Sequence, residues 1–376
     1  MQFSTLCIHG GYRPDWTGSV TAPLYTSATY AHPGVGRSTG YDYARVQNPT
    51  REQLEKVIGA LEGGQEALAF SSGMAAIACL MELFKPGDHL VFSADLYGGT
   101  IRLFNSLSQK NGLTFTAVDD PTPENIARAL QPNTRALYLE TPSNPMMQVL
   151  DLAAISALAR RHHLLTLVDN TFLTPYFQKP LPAGADIVIH SGTKYLGGHN
   201  DVLAGFLIPA TPELEEKLRF IYKTTGSCLS PFDSWLILRG LKTLPLRMER
   251  HAASALTIAR WLEKKPQVRK VFYPGLESSP GYALSQKQTT GFGGMLSFEV
   301  DTEARAKALL EKVKLICFAE SLGGTETMIT YPLLQTHADV PKEECLKKGI
   351  NERLLRLSVG LEDVEDILAD LQQALA

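Results

Sequence analysis

Seven short apolar runs between residues 66 and 208 constrain the fold more than any other feature of this chain. They are EALAF (66–70), HLVFS (89–93), LTFTAV (113–118), RALYLE (135–140), LLTLVD (164–169), DIVIH (186–190) and LAGFLI (203–208). Each has the length and apolar content of a buried strand, and most are separated by ten or more residues, enough for a helical crossover. That alternation predicts an α/β fold with a large, mixed, mostly parallel sheet. DIVIH and LAGFLI are too close for a long helix between them, so one antiparallel strand is expected there.

The flanking segments differ in character. Residues 1–48 are rich in Gly, Pro, Thr and Tyr without a sustained helical period, which describes an arm that must lie against something else, a partner subunit being one candidate. From Arg51 onward Leu54, Val57, Ile58 and Leu61 recur at helical spacing, and Gly63 and Gly64 supply a stop. Residues 232–264 are strongly helical, and the strand-like runs GMLSFEV (294–300) and RLLRLSV (353–359) follow. This pattern predicts an arm (1–48), a large domain (49–235), and a smaller C-terminal α+β domain (236–376) behind a long connecting helix.

Charge argues against some functions. A formal net charge of -3 with acids and bases mixed along the chain leaves no basic footprint for nucleic acid or anionic lipid. Five cysteines, at 7, 79, 228, 317 and 345, are odd in number and widely spaced, which suits a reduced cytoplasm better than a disulfide framework or a zinc site. The start MQFSTLCIHGGYRPDW lacks a signal peptide's basic and apolar regions, and no apolar stretch approaches the roughly 18 residues of a membrane helix. A soluble, cytoplasmic enzyme of small molecules is expected.

In open α/β sheets ligands bind beyond the carboxyl ends of the strands, and three such loops carry unusual residues. Ser71, Ser72 and Gly73 lead into a helix and form either an anion site or an ordinary N-cap. Asp169, followed by Asn170 and Thr171, is either a functional carboxylate or a turn cap. In HSGTKYLGGHND (190–201) Lys194 sits among small residues with Ser191 and Thr193 beside it, and the plain alternative is an exposed loop lysine. A phosphate cradle, a carboxylate and a lysine together match pyridoxal 5'-phosphate, which needs a Schiff-base lysine, an acidic partner for its ring nitrogen and donors for its phosphate. A nucleotide is a poorer match, since neither G-x-x-x-x-G-K-[ST] nor G-x-G-x-x-G occurs. No histidine has metal-ligand spacing with another, so no metal is expected. His190 and His199 read as structural, and His162 and His163 as a helix end.

The chain resembles, over nearly its whole length, the pyridoxal-phosphate enzymes of cysteine and methionine transsulfuration. The matching stretches are YDYARVQNPTR (41–51), FSSGMAA (70–76), DLYGGT (95–100), ETPSNP (140–145), VDNTF (168–172), HSGTKYLGGHND (190–201), SLGGTET (321–327) and RLSVGLE (356–362). The resemblance implies the fold-type I, aspartate-aminotransferase-like architecture and a set of roles. Lys194 would carry the cofactor as a Schiff base and move substrate protons, and Asp169 would pair with the ring nitrogen. The backbone of Gly73 and Met74, with Ser191 and Thr193, would hold the phosphate. Tyr97 would stack on the ring and join in proton transfer, Asn144 would lie near the ring hydroxyl, and Arg356, with Ser321 beside it, would bind the substrate α-carboxylate. Tyr43 and Arg45 would reach the cofactor phosphate of a neighbouring subunit, making a homodimer the active unit, commonly paired into a homotetramer. Without the resemblance, Arg356 could be a surface strand arginine and Tyr97 a packing residue.

The family divides by reaction. Gly99 stands where methionine γ-lyases resemble one another in having cysteine, and Leu322 where the enterobacterial type of β-lyase has tryptophan. Asp42 resembles the synthase pattern, and SPFDSW (230–235) with the 40–51 run resembles bacterial γ-synthases that also act as O-acetylhomoserine sulfhydrylases. The expectation is γ-replacement, joining an O-acyl-L-homoserine and L-cysteine into L-cystathionine. A cystathionine γ- or β-lyase is the alternative within the family, ahead of a methionine γ-lyase. An aminotransferase, or a non-catalytic protein on the same fold, stands outside it.

Overall fold

The computed structural model describes residues 1–338 and 340–376 of the chain. Seven strands, β1 (Leu68–Phe70), β2 (His89–Ser93), β3 (Thr114–Val118), β4 (Thr134–Glu140), β5 (Leu165–Asp169), β6 (Ile187–Ser191) and β7 (Gly205–Pro209), form one sheet in the order β1-β7-β6-β5-β4-β2-β3. All seven apolar runs supply its strands. β7 is antiparallel to both neighbours, and the rest are parallel. The carboxyl ends of β2, β4, β5 and β6 therefore share one edge, and their loops meet there.

Apolar cores cover both faces of the sheet. Val91, Leu139, Val168 and Val188 pack into one, and Leu90, Tyr138, Leu167 and Ile189 into the other. Strands buried on both sides read as unbroken apolar runs, which made them legible. The helix Pro49–Glu62 begins at Asn48, whose side chain accepts from the Thr50 and Arg51 N–H groups, and stops at Gly63 in the left-handed region (φ 81°). The helix Leu152–Arg161 ends at His162, as expected.

A second sheet of five strands has the order β10-β11-β12-β9-β8, with β8 (Val268–Phe272), β9 (Met295–Val300), β10 (Cys317–Phe318), β11 (Met328–Thr330) and β12 (Leu354–Ser358). No helix among the described residues is long and apolar enough to cross a membrane, and the five cysteines are free.

Two expectations need correction. The arm contains a helix, Phe3–His9, that buries Cys7 and packs Phe3 and Leu6 on the large core. Seven residues are too few to display a period, and tertiary packing supplies the helix's stability. The long connecting helix is two helices, Pro231–Leu241 and Leu244–Leu262. Pro245 has no N–H to bond back into the preceding turn, so the chain restarts there. The side chain of Arg247 ties the break together by donating to the carbonyls of Gly240 (2.8 Å) and Tyr195 (2.7 Å).

Candidate active site

A cavity of about 360 Å³ opens at the shared strand edge, roofed by loops from the smaller sheet. Ten of the twelve residues named from the sequence line it: Gly73, Met74, Tyr97, Asn144, Asp169, Ser191, Thr193, Lys194, Ser321 and Arg356. Tyr43 and Arg45 do not. They lie on the arm, where Tyr43 is 49% exposed and Arg45 donates to the Lys223 carbonyl. A larger cleft of about 810 Å³ between β8 and residues 146–149 is bordered by mixed charges and lacks this convergence.

At one end Ser72 caps the helix Gly73–Met81, its hydroxyl accepting from the Ala75 N–H at 3.1 Å. The first N–H groups of a helix have no partner within it, so those of Gly73 and Met74 are suited to an anion. Space there depends on missing side chains. A Cβ at Gly73 would sit 3.2 Å from that of Ser191, and one at Gly205 in β7 would run into the Ser72 carbonyl. Gly205 was not singled out in the sequence, because its value lies in a contact across strands. Thr193 is anchored to Ala204, accepting from its N–H at 3.1 Å.

At the other end Asp169 Oδ1 accepts from the N–H (3.0 Å) and hydroxyl (2.6 Å) of Thr171. Burial raises its pKa, and the Thr171 donors oppose the shift. Glu140 stands directly beside it in the β4–β5 register and accepts from the Tyr97 N–H at 2.9 Å. Burial, then the Asp169 charge, push the Glu140 pKa well up. Sequence reasoning missed Glu140, although it opens ETPSNP. The Tyr97 ring stands over the cavity, 43% exposed.

Lys194 Nζ donates to Ser321 Oγ at 2.8 Å. Burial and, secondarily, the Arg356 charge bring the amine down to about 8, so a minor fraction of it is a neutral base near physiological pH, far more than for an exposed lysine. Arg356 is buried on β12. It donates to Asn144 Oδ1 (2.9 Å), the Ser321 carbonyl (3.0 Å) and Thr330 Oγ1 (3.2 Å), while its Nε is buried without a partner. Asn144, expected beside a ring hydroxyl, thus also orients the arginine. Ser321, which serves both Lys194 and Arg356, adopts φ 101°, a conformation rare outside glycine and a form of strain concentrated at functional sites.

A helix start bare of side chains, a buried carboxylate and a depressed lysine around one cavity fit pyridoxal phosphate in their donor chemistry. A family model described as "Cys/Met metabolism PLP-dependent enzyme" matches residues 4–376. The chain belongs to this family. Its cofactor is pyridoxal 5'-phosphate. Relatives within the Cys/Met-metabolism family include the cystathionine γ-synthase of Haemophilus influenzae, 50% identical over 99% of this chain and 97% of that protein. The cystathionine β-lyase of Lactococcus lactis subsp. cremoris (strain MG1363) is 48% identical over 99% of this chain and 98% of the relative. Among solved structures of the family, cystathionine γ-lyase from Lactobacillus plantarum complexed with L-serine superposes with a TM-score of 0.97 at 44% identity, covering 100% of this chain and 98% of the other.

Proposed function

We propose that this enzyme catalyses γ-replacement, forming L-cystathionine from an O-acyl-L-homoserine and L-cysteine. The observation that carries the reading is that Lys194 and Arg356 meet at one residue, Ser321. An amine beside a carboxylate-binding arginine is suited to act at the carbon next to that carboxylate and at the following one, which is the pair of proton removals that γ-chemistry requires.

When bound, pyridoxal phosphate supplies an electron sink for charge developing at the substrate Cα. The chain supplies the rest. Arg356 commits three of its five N–H donors to protein acceptors and buries a fourth, Nε–H, so it would draw the α-carboxylate by its charge and its remaining Nη1–H. Asp169 is the ring-nitrogen partner, and Gly73, Met74, Ser191 and Thr193 are the phosphate donors. Tyr97, held by Glu140, covers the ring face and assists proton transfer, and Asn144 serves ring and arginine together.

Relatives named synthase and lyase stand at nearly equal identity, so the preference for replacement rests on Asp42 and on SPFDSW with the 40–51 run, while Gly99 bears on methionine γ-lyases and Leu322 on the enterobacterial type of β-lyase alone. Gly99 has a structural reason as well. A Cβ there would sit 2.5 Å from the Tyr97 ring and 3.1 Å from Met74 Sδ, so cysteine does not fit this arrangement. The second reading, a cystathionine lyase, is favoured by the β-lyase and γ-lyase relatives. The exposed Trp16 and Val35 and the outlying Tyr43 and Arg45 support a homodimer as the active unit, paired into a homotetramer, with the arm lying on the partner.

Mass-spectrometric product analysis separates the reactions. Holoenzyme given O-acetyl- or O-succinylhomoserine with cysteine is expected to make cystathionine. Consumption of added cystathionine with little synthesis would overturn the proposal, pyruvate marking a β-lyase and 2-oxobutyrate a γ-lyase.

A further inference from the structure

Behind the cofactor site, on the face of the sheet away from the cavity, four polar side chains form a closed network. His190 Nε2 lies 2.5 Å from Glu62 Oε1, and Asn170 Nδ2 donates to the same oxygen at 3.0 Å. Asn170 also donates to the Gln178 carbonyl (2.9 Å), and Gln178 Nε2 donates back to Asn170 Oδ1 (3.0 Å) and on to the Thr141 carbonyl (2.9 Å). Glu62, His190 and Asn170 are fully buried, and Gln178 is 3% exposed.

The placement is specific. Thr141 follows Glu140 on β4, Asn170 follows Asp169 on β5, and His190 precedes Ser191 on β6. Because side chains alternate along an extended chain, Asn170 and His190 are the back-facing neighbours of Asp169 and Ser191, which line the cavity. The network therefore joins three adjacent strand ends, and through Glu62 it fixes them to the end of the helix Pro49–Glu62.

Stability alone is a poor explanation for it. A carboxylate at a helix C-terminus opposes the helix dipole. Among the described residues Glu62 Oε2 and His190 Nδ1 are buried without partners, which adds desolvation cost. Replacing a buried pair of this kind by apolar residues is often neutral or stabilising. What the network does offer is position. The cofactor ring is rigid, and its partners Asp169 and Lys194 stand on β5 and just beyond β6, so the offset between those strand ends must match the ring.

We propose that Glu62, His190, Asn170 and Gln178 are positioning residues, a buried clasp that sets the spacing of Asp169 and Lys194 and so the affinity and orientation of pyridoxal phosphate. The inference rests on the roles given above to Asp169 and Lys194.

The test uses full-length protein, resolved of cofactor and titrated with pyridoxal phosphate, with the dissociation constant read from the visible absorbance, ring orientation from visible circular dichroism, and apo stability from the unfolding midpoint. In the double variant Glu62→Leu/His190→Phe the packing is kept and the clasp removed. The expected result is a dissociation constant raised about tenfold or more with a weakened dichroic band, the size seen when outer-shell partners of a bound group are lost. Glu62→Gln, which keeps the acceptor oxygen, should recover most of that affinity. Gln178→Met, which cuts the links to Asn170 and Thr141 without touching the Glu62–His190 pair, should weaken binding in the same direction. Wild-type affinity and dichroism in both the double variant and Gln178→Met would overturn the proposal, whatever happens to the unfolding midpoint. Failure of the underlying reading looks different, since Lys194→Ala would then leave the wild-type visible band unchanged.

Discussion

Replacing Arg356 by lysine keeps the charge and removes the fork. Asn144, the Ser321 carbonyl and Thr330 take three of the five guanidinium donors and Nε–H is buried, which leaves one Nη1–H and the charge for substrate. The charge-assisted hydrogen bond to the α-carboxylate, worth about 1.5–3 kcal/mol, would be lost, because a lysine ammonium does not place a donor where the planar guanidinium does. The net loss is therefore about 1.5–3 kcal/mol, or roughly 10- to 150-fold in kcat/KM. A group that holds the carboxylate equally before and during reaction acts through binding, so the loss should fall mainly on KM. Steady-state kinetics of Arg356→Lys, with cofactor absorbance as a check on the holoenzyme, measures both parameters. A kcat/KM within about threefold of wild type, or a fall in kcat at constant KM, would refute the assignment.

The depressed amine of Lys194 should appear in two pH profiles. Burial lowers its pKa from 10.5 to about 8, so between those values the unfolded chain binds the extra proton and apo stability should rise with pH, a rise that Lys194→Met should lack in denaturant titrations. Capture of pyridoxal phosphate by the apoenzyme, followed by stopped-flow absorbance, should accelerate as pH rises through about 8 and then level off, because only the neutral amine attacks an aldehyde. Gly205→Ala would force the Ser72 carbonyl aside, and an overpacking cost of about 1–3 kcal/mol predicts a lower apo unfolding midpoint, with cofactor binding in an equilibrium titration weakened as the start of the Gly73–Met81 helix shifts. Ser321→Gly should raise the apo unfolding midpoint, since relief of about 1–3 kcal/mol of backbone strain exceeds the roughly 0.5–1 kcal/mol entropic cost of glycine, while turnover falls because Lys194 loses its acceptor.

Legibility followed physical locality. The strands of the large sheet other than β3 stand out because a strand buried on both faces must be apolar throughout, and β2 spans the same five residues as HLVFS, whereas β3 is an edge strand with Thr114 and Ala117 exposed. β8 was not legible, because VRKVF is a sheet edge with Arg269 and Lys270 exposed, the charge pattern by which edges avoid unwanted pairing. β10 and β11, with two and three residues, are too short to carry a period. The helix in the arm escaped notice for the same reason.

The candidate site divides in the same way. Which residue types are available, in what order, and which cofactor they suit were determined by the sequence alone, because a lysine, a carboxylate and a capped glycine turn keep their chemistry wherever they lie. Tertiary structure decided what they do to one another. Asn144 and Arg356 bond across 212 positions, Lys194 and Ser321 across 127, and Glu62 and His190 across 128. The lowered amine pKa of Lys194 and the raised pKa of Glu140 depend on exclusion of water and on charges brought close from far along the chain, quantities that exist only once the chain has folded.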